Sequence, residues 1–440
     1  MDTGLMTASD KLAYEMRQSR DEGRDISQYE AEMREILTMP AGDVREARSL
    51  RCLNWMATCP PRAELLEAEP SDWEGILREL ENLPPDTRVS ADAQRLEHAW
   101  LGRAAGCLLG KPFECVGSKE ICAYFGYDGG DTLPSFSYFR MDDSDRCKPF
   151  AVRAALSVER LTGMPSDDDT NYTVIADELL RRNGRDFTSL DLAHLWMSVL
   201  PAHRVCTAER VAYRNLLNGL RPPESARLRN PYREWIGAQI RTDYYGYINP
   251  GAPLAAASMA YRDACVTHTR NGIYGAMWVS ATLAIALSGV AASEAALQGM
   301  TYIPPKSRLY RALSAAAKRY RAGETWKQAM DALRAQWHEE DFFEWGHTIS
   351  NAVIVLQCLL YGEGDFERTI GMAMLYGFDT DCNGATAGSI FGAAGGVIPE
   401  KWTAPMQDTL YTDLPGRYRV SLHEMAHSTL ERAEEVGRDD

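Results

Sequence analysis

The chain has 440 residues, 45% hydrophobic and 25% charged, which is ordinary for a globular protein and enough for one large domain with an extension. A formal net charge of −15 argues against nucleic-acid binding as the main task, since no basic face is left to neutralise phosphate backbones. No run approaches the roughly 18 apolar residues of a membrane span, and residues 1–22 are too polar for a signal peptide.

Residues 1–93 are charged and helix-prone, with Leu12, Met16, Tyr29, Met33 and Leu37 set among Glu and Arg. Pro60-Pro61 and Pro84-Pro85 interrupt them, so they read as a helical N-terminal extension to a main domain over residues 94–440. Residues 96–109 change texture: Ala, Gly and Leu at helical spacing predict a buried helix. Apolar residues then recur every three or four positions in 174–180, 190–200, 275–287, 308–316, 348–360 and 368–376. Alternating Val/Ile/Thr runs are scarce, so the expected fold class is all-α, held by packed helix faces. Residues 222–253, rich in Pro, Arg, Gly and Tyr, read as a long ordered loop of the kind that lines sites. The ten cysteines are scattered without a Cys-x-x-Cys pair, which excludes a zinc ribbon and predicts reduced thiols in a cytoplasmic protein.

Two acidic knots carry the chemistry. Ser166-Asp167-Asp168-Asp169-Thr170 precedes Val174, Ile175, Leu179 and Leu180 at helical spacing, which puts three carboxylates at a helix N-terminus. Asp379-Thr380-Asp381-Cys382 opens a second small-residue helix in which Gly384, Gly388, Gly392 and Gly396 recur every four residues. That bare stripe suits either tight helix packing or close approach of a ligand. Adjacent carboxylates repel unless water or a cation screens them, so two such knots suggest one shared site for hard divalent cations held by oxygen. A rival motif, His423-Glu424-Met425-Ala426-His427, matches the HExxH of zinc peptidases. It lacks a third ligand, and it reads better as polar positions on a C-terminal helix.

With Ala99-Trp100-Leu101-Gly102-Arg103-Ala104-Ala105-Gly106-Cys107-Leu108-Leu109-Gly110-Lys111-Pro112-Phe113-Glu114 upstream, the two knots resemble the ADP-ribosylglycohydrolase family, which includes the enzyme that removes ADP-ribose from dinitrogenase reductase. The resemblance covers about residues 95–435 and implies an orthogonal multi-helix bundle with two magnesium ions in a cleft. It implies metal ligands at Asp167, Asp168, Asp169, Asp379 and Asp381, with Cys382 where a Ser or Thr oxygen is usual. The family's gating glutamate falls on Glu114, and Thr267-His268 resembles the pair that approaches bound ADP-ribose.

Three departures mark this chain. A soft thiol is a poor ligand for a hard cation, so either Cys382 is no ligand or the second site is weaker or prefers manganese. Cys107 replaces a common Asp. The usual Gly-Asn-Gly loop is absent, and Tyr245-Gly246-Tyr247-Ile248-Asn249-Pro250-Gly251 stands there instead.

The implied activity is metal-dependent hydrolysis of a glycosidic bond at the anomeric carbon of ADP-ribose, on an ADP-ribosylated protein or an ADP-ribose-containing small molecule. Asp168, Asp169 or Glu114 would orient or deprotonate the water. Amides near Gly246, Asn249, Gly251 and Gly384 would bind the pyrophosphate. Alternatives are an N-glycosidase of a nucleoside- or nucleotide-like metabolite, or a non-catalytic ADP-ribose reader. No nucleic-acid or membrane partner is expected.

Overall fold

The structure is a computed structural model that describes residues 7–80 and 83–438. Residues 1–6, 81–82 and 439–440 of the expected extension and main domain lie outside the described residues. Helices dominate, and among the described residues the one small sheet is an antiparallel pair, Leu410–Tyr411 with Arg419–Val420. Among the described residues no helix is long and apolar enough to cross a membrane.

Two helices form the axis. Asp92 caps the first, Ala93–Gly110, by accepting from the amides of Gln94 and Arg95. It runs antiparallel to Thr380–Ala393, and their glycines meet in register. A Cβ at Gly102 would lie 2.2 Å from the carbonyl oxygen of Gly388, one at Gly106 2.0 Å from that of Gly384, and one at Gly110 2.4 Å from the amide nitrogen of Asp381. Only glycine allows backbones this close. The stripe expected from the sequence is thus a packing seam, and Gly384 spends its missing side chain on Gly106.

Helices Asn271–Leu287 and Thr348–Tyr361 are buried along their whole length. Their continuous apolar character follows from being covered on every side. The C-terminal helix Leu422–Arg438 buries only Leu422, Met425, Ala426, Thr429, Ala433 and Val436. His423 and His427 stand on its exposed face, beside Glu97 and Glu431 respectively, so the HExxH match is a solvated helix surface.

Residues 222–253 are ordered, and Trp235, Ile236, Gly237 and Ile240 line a cleft as expected of such a segment, but from residue 230 on it runs through the interior rather than over the surface. They fold into short turns at Glu224–Ala226 and Ile236–Arg241 and a helix at Asp243–Tyr247, and everything from 230 to 253 is buried. Tyr232, Trp235, Ile240, Tyr244, Tyr245 and Tyr247 supply the apolar area that draws the segment inward. Arg241 can be buried there because Glu209 and Asp263 both accept from it at 2.5 Å.

The N-terminal helices Ala8–Asp21, Glu30–Thr38 and Asp43–Met56 enclose a small core of their own, including Leu12, Met16, Met33, Ile36, Leu53 and Met56. They dock on the main body largely through charge. Glu15 and Glu22 bind Arg233, Glu22 also binds Arg270, and Glu69 binds Arg308.

Candidate active site and metal centre

The crossing of the two glycine helices brings the two acidic knots to one place. Asp167 is the N-cap of helix Asp168–Asn183, and its carboxylate accepts from the Asp169 amide at 3.0 Å. The next two acids diverge, as successive residues of a helix must. Asp168 is half-buried and faces a cleft, whereas Asp169 is enclosed. Arg103 grips Asp169 through its carbonyl at 2.7 Å and its Oδ1 at 3.3 Å, and is itself anchored by Asp243 at 2.9 Å. From the other knot, Thr380 donates its hydroxyl to the Gly110 carbonyl at 2.9 Å, which fixes the start of the late helix against the end of the early one.

The ligand atoms then cluster. Asp167, Asp169, Asp381 and Cys107 each offer one within 4.8 Å of one another, and so do Asp379, Asp381 and Cys382. Asp381 belongs to both groups, and its buried Oδ1 has no hydrogen-bond partner among the described residues. Six carboxylates, counting Asp168 and Glu114, face the cationic side chains Lys111 and Arg103. Burial, and then the neighbouring acids, hold Asp168 and Asp379 well above the ordinary carboxylate range. Burial and then Asp167 push Asp381 up to about 6, while Asp381 first and burial second push Glu114 up to about 8. This surplus of negative charge, with an orphaned carboxylate oxygen at its centre, fits a divalent cation bound by oxygen. The thiols of Cys107 and Cys382 do not suit magnesium. Cys107 lies 3.7 Å from Asp169 Oδ2 as a weak donor.

Lys111 is the residue the sequence left unassigned. Its ammonium pairs with Asp167; burial is the largest single influence and would discharge it, but Asp167, Cys107 and Asp381 together outweigh burial and raise its proton affinity. Arg103, Cys107 and Lys111 are spaced four apart and share one face of the early helix, beside the face that carries Gly102, Gly106 and Gly110. That periodicity was the available signal.

The cleft encloses about 250 Å³. Glu114, Asp168, Asp379, Asp381 and Cys382 lie on one side, and Tyr172, Trp235, Phe342 and Trp345 supply aromatic surface. Phe342 and Trp345 stack at 5.1 Å, and Trp235 meets Phe342 edge-on at 5.5 Å. Tyr14 of the first helix packs on Trp235 and Phe342, while Arg17 binds Asp341 and Glu344. The N-terminal helices therefore back the aromatic wall.

The expected substrate contacts sit elsewhere. Gly246 packs against Ser280 and Leu283, Gly251 against Thr87, and Asn249 accepts from Arg88 at 3.1 Å and donates to Tyr245. None of the three lines the cleft, because the aromatic side chains around them pull this segment into the core. His268 is fully buried behind the wall. Its Nδ1 lies 2.6 Å from the Thr267 hydroxyl and 3.8 Å from Glu209, which does line the cleft. Burial first, then Arg241, keep the imidazole neutral.

A family model described as ADP-ribosylglycohydrolase matches residues 88–438. No protein of curated function matches the sequence. Among solved structures, one described as an ADP-ribosylglycohydrolase-related protein complex aligns at 22% identity with a TM-score of 0.48, covering 78% of this chain and 98% of that one.

Proposed function

The chain belongs to the ADP-ribosylglycohydrolase family, and from that premise we propose that it is a metal-dependent hydrolase of the glycosidic bond at the anomeric carbon of ADP-ribose. The observation that carries this reading is the convergence of both acidic knots on Asp381, at the base of an aromatic-walled cleft. Asp167, Asp169 and Asp381 would hold one cation and Asp379 and Asp381 another. Magnesium is the first choice, and manganese suits the thiol of Cys382 better. Bound there, such cations would supply Lewis acidity to a ribose oxygen and to water.

The chain's own groups divide the remaining work. Asp169 is locked by Arg103, which leaves Asp168 as the carboxylate that reaches the cleft to orient or deprotonate water. Glu114 answers chiefly to Asp381, so its proton affinity falls when Asp381 is neutralised. It reports the charge state of the cage at the mouth of the cleft. Trp235, Phe342 and Trp345 offer flat faces to a purine and exclude water from the developing oxocarbenium ion. A cleft of 250 Å³ is small for all of ADP-ribose, which favours as second reading an N-glycosidase of a nucleoside-like metabolite.

The test incubates the protein with arginine-linked, serine-linked and small-molecule-linked ADP-ribose and with free nucleosides, with and without magnesium. Release of ADP-ribose only with the cation, abolished by Asp381→Ala in a folded variant, is the expected result. Turnover confined to nucleosides selects the second reading, and full activity of Asp381→Ala overturns the cage.

A further inference from the structure

A larger cavity lies outside the cleft. It encloses about 560 Å³ between the N-terminal helices on one side and residues 224–233 and 269–270 on the other. Its lining carries Arg24, Arg78, Arg227, Arg229, Arg233 and Arg270 against the acids Glu15, Asp72 and Glu224. In a chain of net charge −15 this local excess of cations is unexpected.

Three of these arginines are committed to the fold. Arg233 binds Glu15 at 2.9 Å and Glu22 at 2.6 Å, Arg270 binds Glu22 and Glu234, and Arg24 binds Glu22 and the Cys59 carbonyl. The others are not absorbed in this way. Arg227 meets only the exposed Glu224, at 2.9 Å. The buried Nε of Arg229 finds no acceptor among the described residues. Thr269 is 4% exposed, lines the same cavity, and its buried hydroxyl also has no partner among the described residues. A buried donor left unmade costs about 1–3 kcal/mol, so two on one cavity call for an explanation. Arg229 and Arg270 also hold positive φ, 51° and 44°, which non-glycine residues adopt at a cost. The surrounding charges agree. Burial, then Arg214 and Arg229, bring Lys11 down to about 7, and burial, then Arg229, bring Arg214 down to about 10. Leu53, Pro60 and Leu228 add apolar surface to the same lining.

We propose that this cavity binds a phosphate-bearing small molecule of nucleotide size, with Arg229, Arg78 and Thr269 donating to the phosphates and Leu53, Pro60 and Leu228 covering its organic part. The volume is within the range of small-molecule sites, and guanidinium groups suit phosphate oxygens. This proposal stands independently of the hydrolase reading.

The probe is ADP, with adenosine as the phosphate-free control, titrated calorimetrically into the wild-type protein and into Asp381→Ala. Beyond any purine binding at the cleft, which adenosine shares, a binding event specific to ADP is expected in both proteins. Arg229→Gln combined with Thr269→Val should weaken it about tenfold or more. If that pair fails to fold, Arg78→Gln, on an exposed side chain, should weaken it several-fold by itself. Absence of ADP binding, binding lost in Asp381→Ala alone, or binding indifferent to these cavity variants would each overturn the proposal.

Discussion

Where the two glycine helices cross, a Cβ on Gly106 would stand 2.0 Å from the Gly384 carbonyl, and nothing but backbone fills the contact. Where the N-terminal helices meet the body, Glu15, Glu22 and Glu69 reach across to Arg233, Arg270 and Arg308. The first contact places Asp381 with no adjustable group between the helices. The second is made by long, mostly buried charged side chains, and beside it Tyr14 packs on Trp235 and Phe342. The candidate metal ligands thus sit on the backbone seam, and the aromatic wall leans on the joint made by side chains. A cage of like charges tolerates little error in position, whereas a stacking surface tolerates more.

The comparison predicts how each contact fails. Gly106→Val should be the most damaging change, costing more than about 4 kcal/mol, because no rotamer clears the facing carbonyl. Chemical denaturation would measure it, and the rise in Tm on adding magnesium should vanish with it. A Gly106→Val protein of normal stability would mean that the helices can part freely. Glu22→Ala should cost about 3–5 kcal/mol, since Arg24, Arg233 and Arg270 lose a shared buried partner. Its urea midpoint should fall while the magnesium-dependent shift survives. Loss of both would show that the two contacts are one cooperative unit.

Lys11→Met should act in the opposite direction, adding about 1–2 kcal/mol near neutral pH. Lys11 drops from 10.5 to about 7 on folding, chiefly by burial. Between pH 7 and 10.5 the unfolded chain therefore binds the extra proton, and wild-type stability rises with pH across that window. Below pH 7 the full penalty applies. The Tm gap between variant and wild type should be widest there and close toward pH 10.5, and a gap constant with pH would contradict the assignment. Cys382→Ser should change stability least, by under ~1 kcal/mol. It should lower the magnesium concentration for half-maximal rate, and coincident titration curves would remove Cys382 from the cage.

The sequence revealed the parts of this design that repeat or cluster. Apolar spacing identified the helices, the four-residue glycine rhythm identified a stripe, and the two knots identified a shared site. It did not reveal that Lys111 neutralises Asp167, because that pairing depends on how the early helix is rotated against the helix that follows Asp167. Nor did it reveal the fate of residues 222–253. Their Pro and Gly content reads as loop, but Trp235, Tyr244 and Tyr247 find long-range partners that local composition does not contain. Gly246, Asn249 and Gly251 were placed by resemblance at the very segment where this chain departs from the family pattern, and there the structure puts packing instead.

The seam joins Gly102 to Gly388, nearly the whole length of the main body apart in the chain. A contact so distant in sequence forms only after most of the chain is present, and such topologies fold slowly. During synthesis the first acidic knot emerges long before the second, so the cage cannot capture a cation and guide the early steps. Any cation the cage holds would be a latecomer, admitted once the two helices have found each other.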